Sequence, residues 1–585
     1  MSSINNLLRK RYMPDIMIVF CFLLITVFMT YPMLRTGNII VYSDWSFHGM
    51  RVEQIFLNMK RSHLLTFIAT DTFQHTGVGN FLFYPTVFLY PWAFFRLFLK
   101  PVTAFYCWYG LIMFSTFAIA YFSMKSFGKR RIGAVVFSLA YTLGSYHLYL
   151  STAVFGEFIA MTFLPLAFWA FYEVLFRDSS KWPWLGIGMT MLIYSHVLSV
   201  MITSEIMLAI FIMKILINGF DKQRFICLLK AVGLTILLAL FIIIPYLTDF
   251  IGKGITSAQP GVPASMLKSM IDVVEASLNN AVSSDSIGFL LFLAALFGYL
   301  LISSLNSKIF TAIYILGLVL IAVSTSVFPW SIFSDTPFGM IQLPVRYLAY
   351  ATLFLSVVFG IAVDELFKSR TFSSTSVKWL NIMLLSVIMI IISYSGYQHD
   401  TIENLKEAGS NNVLSKNESG NFVQLSGTVA VNNSNYNNLR DYSVRYGELD
   451  YYPVKARRST NVIGYNETNT SIVENIAVIG KKKLHVKANC GSNVLRYTVR
   501  THKDAVIDLP VLKYNGSYAT VDGRKVEMIE SNRGTVKVRI KKGVNRISIG
   551  YEPPLLYYLG IGISALTWFF LVSVMVYRKS RNMQG

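Results

Sequence analysis

Three ionisable residues at regular spacing stand out near the start of the chain. Asp44, His48 and Arg51 lie four and three residues apart in the run Val41-Tyr-Ser-Asp-Trp-Ser-Phe-His-Gly-Met-Arg. On a helix this spacing places the three side chains on one face. A carboxylate held beside the apolar wall of a bilayer has a raised pKa and can act as a general base. The alternative is a helix cap, in which Ser43 or Asp44 starts an amphipathic surface helix.

Four further polar residues fall near the ends of apolar segments. Glu157 follows Phe155-Gly, and an acidic residue in a span is commonly functional, although a glutamate at the interface can also snorkel. Arg346 ends the run Gln342-Leu-Pro-Val-Arg and suits either a bidentate phosphate contact or an interfacial anchor. His147 lies at the outer end of the third predicted span. His196 lies in the outer half of a predicted span, where the alternative is a hydrogen-bonded structural role.

The composition is that of a membrane protein. Of the 585 residues, 54% are hydrophobic and 14% are charged, against roughly 25% charged residues in soluble proteins. The apolar residues form blocks of about 20, the length that a helix needs to cross a bilayer. The net charge of +21 comes largely from Lys and Arg in short loops, which the positive-inside rule explains, so no nucleic-acid partner is predicted. Of the four cysteines only Cys490 lies in a polar segment, and no cysteine or histidine spacing predicts a metal cluster.

The apolar blocks predict a mainly α-helical polytopic protein with about 12 spans. The first block follows a basic N-terminus and is interpreted as an uncleaved signal anchor, which places both termini in the cytoplasm of a cell-membrane protein. The segment 81–98 contains Pro85 and Pro91 and is predicted to lie on the outer leaflet; its crossing as a further span is the alternative. The predicted spans are 15–34, 104–126, 132–150, 154–176, 184–201, 203–217, 225–247, 287–304, 309–328, 346–366, 378–396 and 554–577.

One segment differs from the rest of the chain. Residues 397–553 contain runs that alternate polar and apolar residues, such as Leu495-Arg-Tyr-Thr-Val-Arg, between turns such as Asn515-Gly and Asp522-Gly. This pattern is typical of antiparallel β-structure. We therefore expect a membrane domain over 1–396 with an outer loop at 35–103, an extracytoplasmic β-sandwich or jelly-roll domain over 397–553, and a last span with a basic tail over 554–585.

Several of these features resemble one superfamily of membrane enzymes. The chain resembles the GT-C glycosyltransferases, and among them the YfhO-like proteins and the bacterial membrane family named after 6-pyruvoyl-tetrahydropterin synthase. Asp44 corresponds to the early acidic residue of the first outer loop, Glu157 to a second acidic residue in the next, and Leu343-Pro-Val-Arg346 to a Pro-x-Arg element. Further matching stretches are Phe83-Tyr-Pro to Trp92, Gly128-Lys-Arg-Arg, and Gly543 to Tyr551 with the Glu-Pro-Pro that follows.

The resemblance implies a reaction. It is transfer of a sugar from a polyprenyl-phosphate donor to an extracytoplasmic acceptor, such as a glycolipid or a cell-wall polymer of the teichoic-acid kind. Asp44 would be the general base, Glu157 would support it or orient the acceptor, and Arg346 would bind the donor phosphate. Arg51 or His196 would assist at the phosphate. The family pattern often has an acidic pair where this chain has Asp44-Trp, so no metal ligand is assigned and a divalent cation stays open as a cofactor.

Two other functions remain open from sequence. A lipid or polymer transporter or flippase would also be polytopic, but it should show repeats and polar residues at mid-membrane. A non-catalytic scaffold for surface-polymer assembly would keep the fold without using Asp44. Both alternatives, like the enzyme, have membrane lipids as partners.

Overall fold

The protein is described by a computed structural model with two structural parts. A helical membrane part contains most of the chain, and an antiparallel β-sandwich precedes the last helix. The structure describes residues 2–256, 261–262, 266–368, 375–410, 415–416, 423–424, 428–441, 450–459, 466–468 and 470–584.

Eleven α-helices form the first two-fifths of the described chain, three of them within the loop 35–103. They are α1 (Ser2–Arg35), α2 (Trp45–Lys60), α3 (Asn80–Phe83), α4 (Tyr90–Phe98), α5 (Pro101–Gly128), α6 (Arg131–Thr142), α7 (Ser145–Ala153), α8 (Phe155–Phe176), α9 (Trp182–Ile193), α10 (Val197–Asn218) and α11 (Lys222–Pro245). The later helices are α12 (Met270–Leu278), α13 (Phe289–Phe297), α14 (Leu300–Leu305), α15 (Lys308–Val323), α16 (Trp330–Phe333), α17 (Tyr347–Leu366), α18 (Thr375–Ser410), α19 (Thr470–Val473) and α20 (Leu555–Gln584).

Within the described residues, 8 helices are long and apolar enough to cross a membrane. They cover Tyr12–Arg35, Pro101–Gly128, Phe155–Phe176, Val197–Asn218, Lys222–Phe250, Pro344–Leu366, Trp379–Ala408 and Leu555–Arg578. The other four predicted spans coincide with shorter or interrupted helices. For example, 132–150 is divided between α6 and α7 because the backbone at Gly144 is extended. The polytopic, mainly helical architecture is thus confirmed, with an approximate number of spans.

The outer loop and the basic turns lie at opposite ends of the first helices. At one end, Asp15 of α1 accepts hydrogen bonds from Tyr121, Lys125 and Arg131. At the other end, β1 (Asn38–Val41) follows α1 and pairs antiparallel with β4 (Val429–Asn432). The apolar stretch Val87–Phe98 is shorter than the ~20 residues that a spanning helix requires.

The β-sandwich consists of two five-stranded antiparallel sheets. Its strands are β7 (Ile476–Ile479), β8 (Lys482–His485), β9 (Asn489–Gly491), β10 (Val494–Thr501), β11 (Ala505–Leu512), β12 (Ser517–Val521), β13 (Arg524–Val526), β14 (Met528–Glu530), β15 (Thr535–Ile540) and β16 (Gly543–Tyr551). The strand order is β13-β12-β16-β10-β9 in one sheet and β14-β15-β11-β7-β8 in the other. Besides the four-residue β1–β4 pair, two shorter pairings precede the sandwich. They are β2 (Ser415–Lys416) with β3 (Val423–Gln424), and β5 (Arg457–Ser459) with β6 (Asn466–Thr468). Along β10, buried and exposed residues alternate, so the antiparallel β-domain predicted from that pattern is confirmed.

The sandwich begins later in the chain than the expected boundary at residue 397. Helix α18 continues to Ser410. Beyond it, Val429, Tyr436 and Tyr452 are buried in the core of the membrane part, whereas the sandwich has a separate core that includes Leu495. The alternating pattern marked the strands correctly but did not show that the preceding residues pack on the helices.

The sandwich is attached to the outer loop by side-chain hydrogen bonds to backbone. Asn493 accepts from the backbone N–H of Phe67 at 2.7 Å and donates to the carbonyl of Leu65 at 2.8 Å. Thr70 donates its hydroxyl to the carbonyl of Gly491 at 2.8 Å. These contacts fix the sandwich over the loop that carries the candidate site.

Because the sandwich has its own core, we expect residues 475–552 to fold without the membrane part. The isolated segment should give a β-type circular dichroism spectrum and one cooperative unfolding transition. A matched variant, Leu495→Ala, should lower its free energy of unfolding by about 2–5 kcal/mol, since the side chain is fully buried. A segment that is unfolded by itself would contradict the independence of this core.

Candidate functional site

Asp44 occupies the N-cap position of α2 without acting as a cap. Its backbone N–H donates to the carbonyl of Ala153 at 3.2 Å, which fixes it beside α7. The preceding residue, Ser43, has a φ of 47°, an uncommon left-handed conformation for a residue with a side chain. The Asp44 side chain makes no hydrogen bond to the start of α2. The helix-cap interpretation is therefore right about the position and wrong about the role of the carboxylate.

Glu157 and Arg346 form the charged pair of the site. Glu157 lies in the first turn of α8, and Arg346 ends the turn that leads into α17. Tyr146 donates its hydroxyl to Glu157 Oε1 at 3.0 Å, and Arg346 Nη1 donates to the carbonyl of Ile341 at 2.5 Å. Arg346 Nε is 3.6 Å from Glu157 Oε2, which is too long for a hydrogen bond, and neither atom has a hydrogen-bond partner among the described residues.

Arg346 links these groups electrostatically to Asp44. Burial raises the pKa of the Asp44 carboxyl to about 6, and the positive charge of Arg346 opposes that rise. Asp44 and Glu157 also interact with each other as like charges. The sequence-predicted residues Asp44, Glu157 and Arg346 are thus brought together. A carboxyl with a pKa near neutral pH beside a buried guanidinium is suited to accepting a proton.

His48 and Arg51 lie on the same face of α2 as predicted, but they contact protein groups. Arg51 is fully buried and donates from Nη2 to the carbonyls of Tyr84 and Pro85, at 2.6 and 3.1 Å. Its Nη1 is 3.3 Å from His48 Nδ1. Burial, with Arg51 and His196 nearby, lowers the pKa of His48 well below its ordinary value. Arg51 therefore holds the 84–85 backbone, which favours a structural role over the suggested phosphate contact.

The two remaining histidines differ in their distance from the charged groups. His196 lies between α9 and α10, at the N-cap of α10, instead of inside a span. It interacts electrostatically with Arg346, and its Nδ1 is 2.9 Å from the hydroxyl of Ser199. His147 packs its ring 4.9 Å from that of Phe158, and its Nδ1 is 2.8 Å from the carbonyl of Thr142. These contacts leave His196 at the site and favour a structural role for His147.

Sequence reasoning missed two residues of this site. One is Tyr146 of α7, which is buried and donates a hydrogen bond from its hydroxyl to Glu157. Asp450 comes from a distant part of the chain and interacts with Asp44 as a like charge. The run Asp450-Tyr-Tyr-Pro, an acidic residue beside aromatic ones in an otherwise polar segment, was the available signal.

An apolar groove is lined in part by Tyr347, the residue that follows Arg346. Its volume is about 280 Å³, and it lies between α10, α15 and α17, with Trp330 and Tyr347 among its lining residues. The Tyr347 hydroxyl is 2.9 Å from both carboxylate oxygens of Glu205, which also lines the groove. Since Tyr347 directly follows Arg346, a molecule with an apolar tail and an anionic head could reach both.

The side chains of the site are a poor donor set for a metal ion. In the part of the chain that the structure describes, no group of three or more His, Cys, Asp or Glu side chains is arranged to hold a metal ion. Asp44 and Glu157 share their surroundings with the cation Arg346, a poor environment for a divalent ion.

Comparison with known proteins bears on the C-terminal part. Residues 448–564 match the family model described as bacterial membrane protein YfhO. This stretch starts two positions before Asp450, includes the whole sandwich and reaches into α20. The YfhO resemblance is thereby confirmed for these residues, about a fifth of the chain. A search of curated proteins finds no match.

Proposed function

We propose that the protein is a membrane glycosyltransferase that moves a sugar from a polyprenyl-phosphate donor to an extracytoplasmic acceptor. The single observation that carries this proposal is the grouping of Asp44, Glu157 and Arg346 at the outer-loop end of the helices. A base, a phosphate-binding cation and a residue that holds the cation are the parts that such a transfer needs. The YfhO-like sequence of the sandwich supports the same class of protein.

The proposed reaction is a direct displacement at the anomeric carbon. Asp44 accepts the proton of an acceptor hydroxyl as that oxygen forms a bond to the anomeric carbon. The bond between this carbon and the donor phosphate oxygen breaks, and the polyprenyl phosphate leaves with the electron pair. Arg346 stabilises the negative charge that develops on the phosphate. Because the nucleophile attacks opposite the leaving group, the configuration at the anomeric carbon inverts.

Glu157 and Tyr146 orient Arg346 for this role. The Arg346 side chain has little rotational freedom, because its Nη1 donates a hydrogen bond to the Ile341 carbonyl and its Nε faces the Glu157 carboxylate. Its second terminal nitrogen, Nη2, makes no hydrogen bond with the described residues and can meet a phosphate oxygen. Pre-oriented charge costs no reorganisation during the reaction.

The groove beside Tyr347 supports a lipid-linked donor. Its lining is almost wholly apolar, and it adjoins Arg346 along the chain. A donor whose phosphate meets Arg346 would extend its polyprenyl tail along this groove and into the bilayer. The transporter and scaffold alternatives are less favoured, since neither requires a carboxyl of raised pKa beside a phosphate-binding arginine.

Cell-wall analysis tests the proposed function. Polymers and glycolipids would be isolated from cells with and without the gene and hydrolysed, and their sugars quantified. Loss of one sugar from one polymer, restored by the wild-type protein and not by an Asp44→Asn protein at equal abundance, is the expected result. Unchanged sugar composition would contradict the transferase.

The raised pKa of Asp44 predicts a pH dependence. A base works in its deprotonated form, so the rate of transfer should be constant above about pH 7 and should fall as pH decreases through about 6. An aspartate with an ordinary pKa near 3.8 would keep the rate unchanged to about pH 5. Initial rates between about pH 4 and 8 distinguish the two, and a profile that is flat down to about pH 5 would contradict the raised pKa of Asp44 as the base.

A further inference from the structure

Tyr84, which directly follows α3, is held in place by the buried Arg51. Arg51 Nη2 donates to the carbonyls of Tyr84 and of the next residue, Pro85, at 2.6 and 3.1 Å. The carbon at the centre of the guanidinium also lies 4.9 Å from the centroid of the Tyr84 ring. A planar guanidinium that binds two carbonyls and packs on an aromatic ring restricts both. Arg51 therefore fixes the backbone and the side chain of Tyr84 together.

The ring of Tyr84 lies between two histidines of the site. Its centroid is 5.2 Å from that of His48 and 6.2 Å from that of His196. His48 is one turn beyond Asp44, and its backbone N–H donates to the Asp44 carbonyl at 3.1 Å. His196 is the N-cap residue of α10. Tyr84 thus bridges the face of α2 that follows Asp44 and the start of α10.

The hydroxyl of Tyr84 lies against a glycine. Gly156 directly precedes Glu157 in the first turn of α8. A Cβ atom at Gly156 would overlap the Tyr84 hydroxyl and would lie 2.8 Å from Cδ2 of the His196 ring. Because glycine has no Cβ, it allows this close approach. These contacts place the hydroxyl next to the turn that carries Glu157.

The Tyr84 hydroxyl is available to a ligand. Among the residues that the structure describes, it has no hydrogen-bond partner, and the side chain is partly exposed. Desolvation, with the negative charge of Asp44 adding to it, raises the pKa of the phenol above its ordinary value of 10. The hydroxyl therefore stays protonated at neutral pH. A protonated phenol can donate one hydrogen bond and accept others, which matches the hydroxyl groups of a sugar.

We propose that Tyr84 is a specificity-determining residue whose hydroxyl makes a hydrogen bond to the sugar of the lipid-linked donor. This inference rests on the proposed transferase function. In a direct displacement the anomeric carbon lies between the acceptor oxygen at Asp44 and the phosphate oxygen at Arg346, so the sugar lies between these two residues. Tyr84 contacts α2 through His48. It contacts α8 through Gly156, and α8 also carries the carboxylate that pairs with Arg346.

The test uses Tyr84→Phe, which removes the hydroxyl and keeps the ring. Purified full-length protein in liposomes is supplied separately with undecaprenyl-phosphate glucose, galactose and N-acetylglucosamine, and the acceptor is isolated cell-wall polymer. With the donor that the wild type uses fastest, Tyr84→Phe should raise the donor KM about five- to tenfold, because one hydrogen bond is lost. Deoxy analogues of that donor, each lacking one sugar hydroxyl, identify the contact. One analogue should lose the same factor with the wild type and nothing further with Tyr84→Phe.

Two controls separate a sugar contact from a phosphate contact and from a structural role. Undecaprenyl phosphate without a sugar should inhibit the wild type and Tyr84→Phe equally. If Tyr84→Phe weakens this inhibition as much as it weakens the donor, the hydroxyl binds the phosphate and the inference is wrong. Tyr90→Phe removes another hydroxyl of the same loop, one that donates to the Leu64 carbonyl at 2.7 Å, and should keep the wild-type donor KM.

A substitution at Gly156 tests the placement of the hydroxyl. Gly156→Ala adds a methyl group that overlaps the hydroxyl, so it should raise the donor KM in the wild-type background. In the Tyr84→Phe background the same substitution should have a smaller effect, because the hydroxyl is already absent. Equal effects in both backgrounds would contradict the placement.

A binding measurement distinguishes failure of this inference from failure of the function. Quenching of tryptophan fluorescence gives the Kd of each donor and of undecaprenyl phosphate for the full-length protein without any transfer. A donor Kd that is five- to tenfold weaker in Tyr84→Phe, with an unchanged Kd for undecaprenyl phosphate, supports the sugar contact. An unchanged donor Kd and KM in an otherwise active Tyr84→Phe enzyme overturns the inference alone. Absence of transfer by the wild type from all three donors contradicts the transferase itself.

Discussion

Asp44→Asn is expected to lower the rate of sugar transfer by about 10²–10⁴-fold, the usual contribution of a general base. The amide keeps the size of the side chain and cannot accept the proton. Because the Asp44 carboxylate makes no capping hydrogen bond, the folded protein should lose little stability. Transfer of labelled sugar by equal amounts of purified wild type and variant measures the effect.

A matched carboxylate provides the control. Asp285 lies between α12 and α13, where it pairs with Lys268 at 3.1 Å. Asp285→Asn should transfer sugar at the wild-type rate. If Asp44→Asn also transfers sugar at the wild-type rate, Asp44 is not the general base and a scaffold function is favoured.

Arg346→Ala should have the second largest effect, and on two quantities. Removing one partner of a buried ion pair leaves Glu157 uncompensated, at a cost of roughly 3–5 kcal/mol in the free energy of unfolding. The donor KM should rise by at least about tenfold, because a charged contact to the phosphate is lost. Thermal unfolding and donor titration measure the two separately.

Two further variants separate stability from donor binding. Arg346→Lys keeps the positive charge and should bind the donor more tightly than Arg346→Ala does. It should not reach the wild-type affinity, because an ammonium group cannot make the bidentate contact of a guanidinium. Glu157→Gln removes the negative charge while its amide oxygen can still accept from Tyr146, so it should loosen Arg346 without abolishing transfer. An Arg346→Ala protein with the wild-type donor KM would contradict the phosphate-binding role.

Local patterns in the sequence predicted what local physics determines. The spacing of Asp44, His48 and Arg51 placed them on one helical face, and the alternation along β10 identified a strand with one buried side. Apolar block length predicted the long spans, but not the interruption at Gly144, because a break in an apolar stretch depends on how neighbouring helices pack.

Long-range contacts account for what the sequence did not reveal. Arg51 was a candidate for phosphate, yet its guanidinium bonds to carbonyls 33 and 34 residues away. Asp450 was not singled out, because its electrostatic interaction with Asp44 joins residues that are far apart in the sequence. Neither contact leaves a periodic trace in the sequence.

The most direct test of the central claim is transfer by the purified protein in liposomes that contain a labelled polyprenyl-phosphate sugar. The wild type should attach the label to an added acceptor, release one polyprenyl phosphate for each sugar transferred, and give a product with inverted anomeric configuration. Asp44→Asn should do none of these at a detectable rate. Equal label transfer by both proteins, or movement of the donor across the bilayer without transfer, would contradict the account.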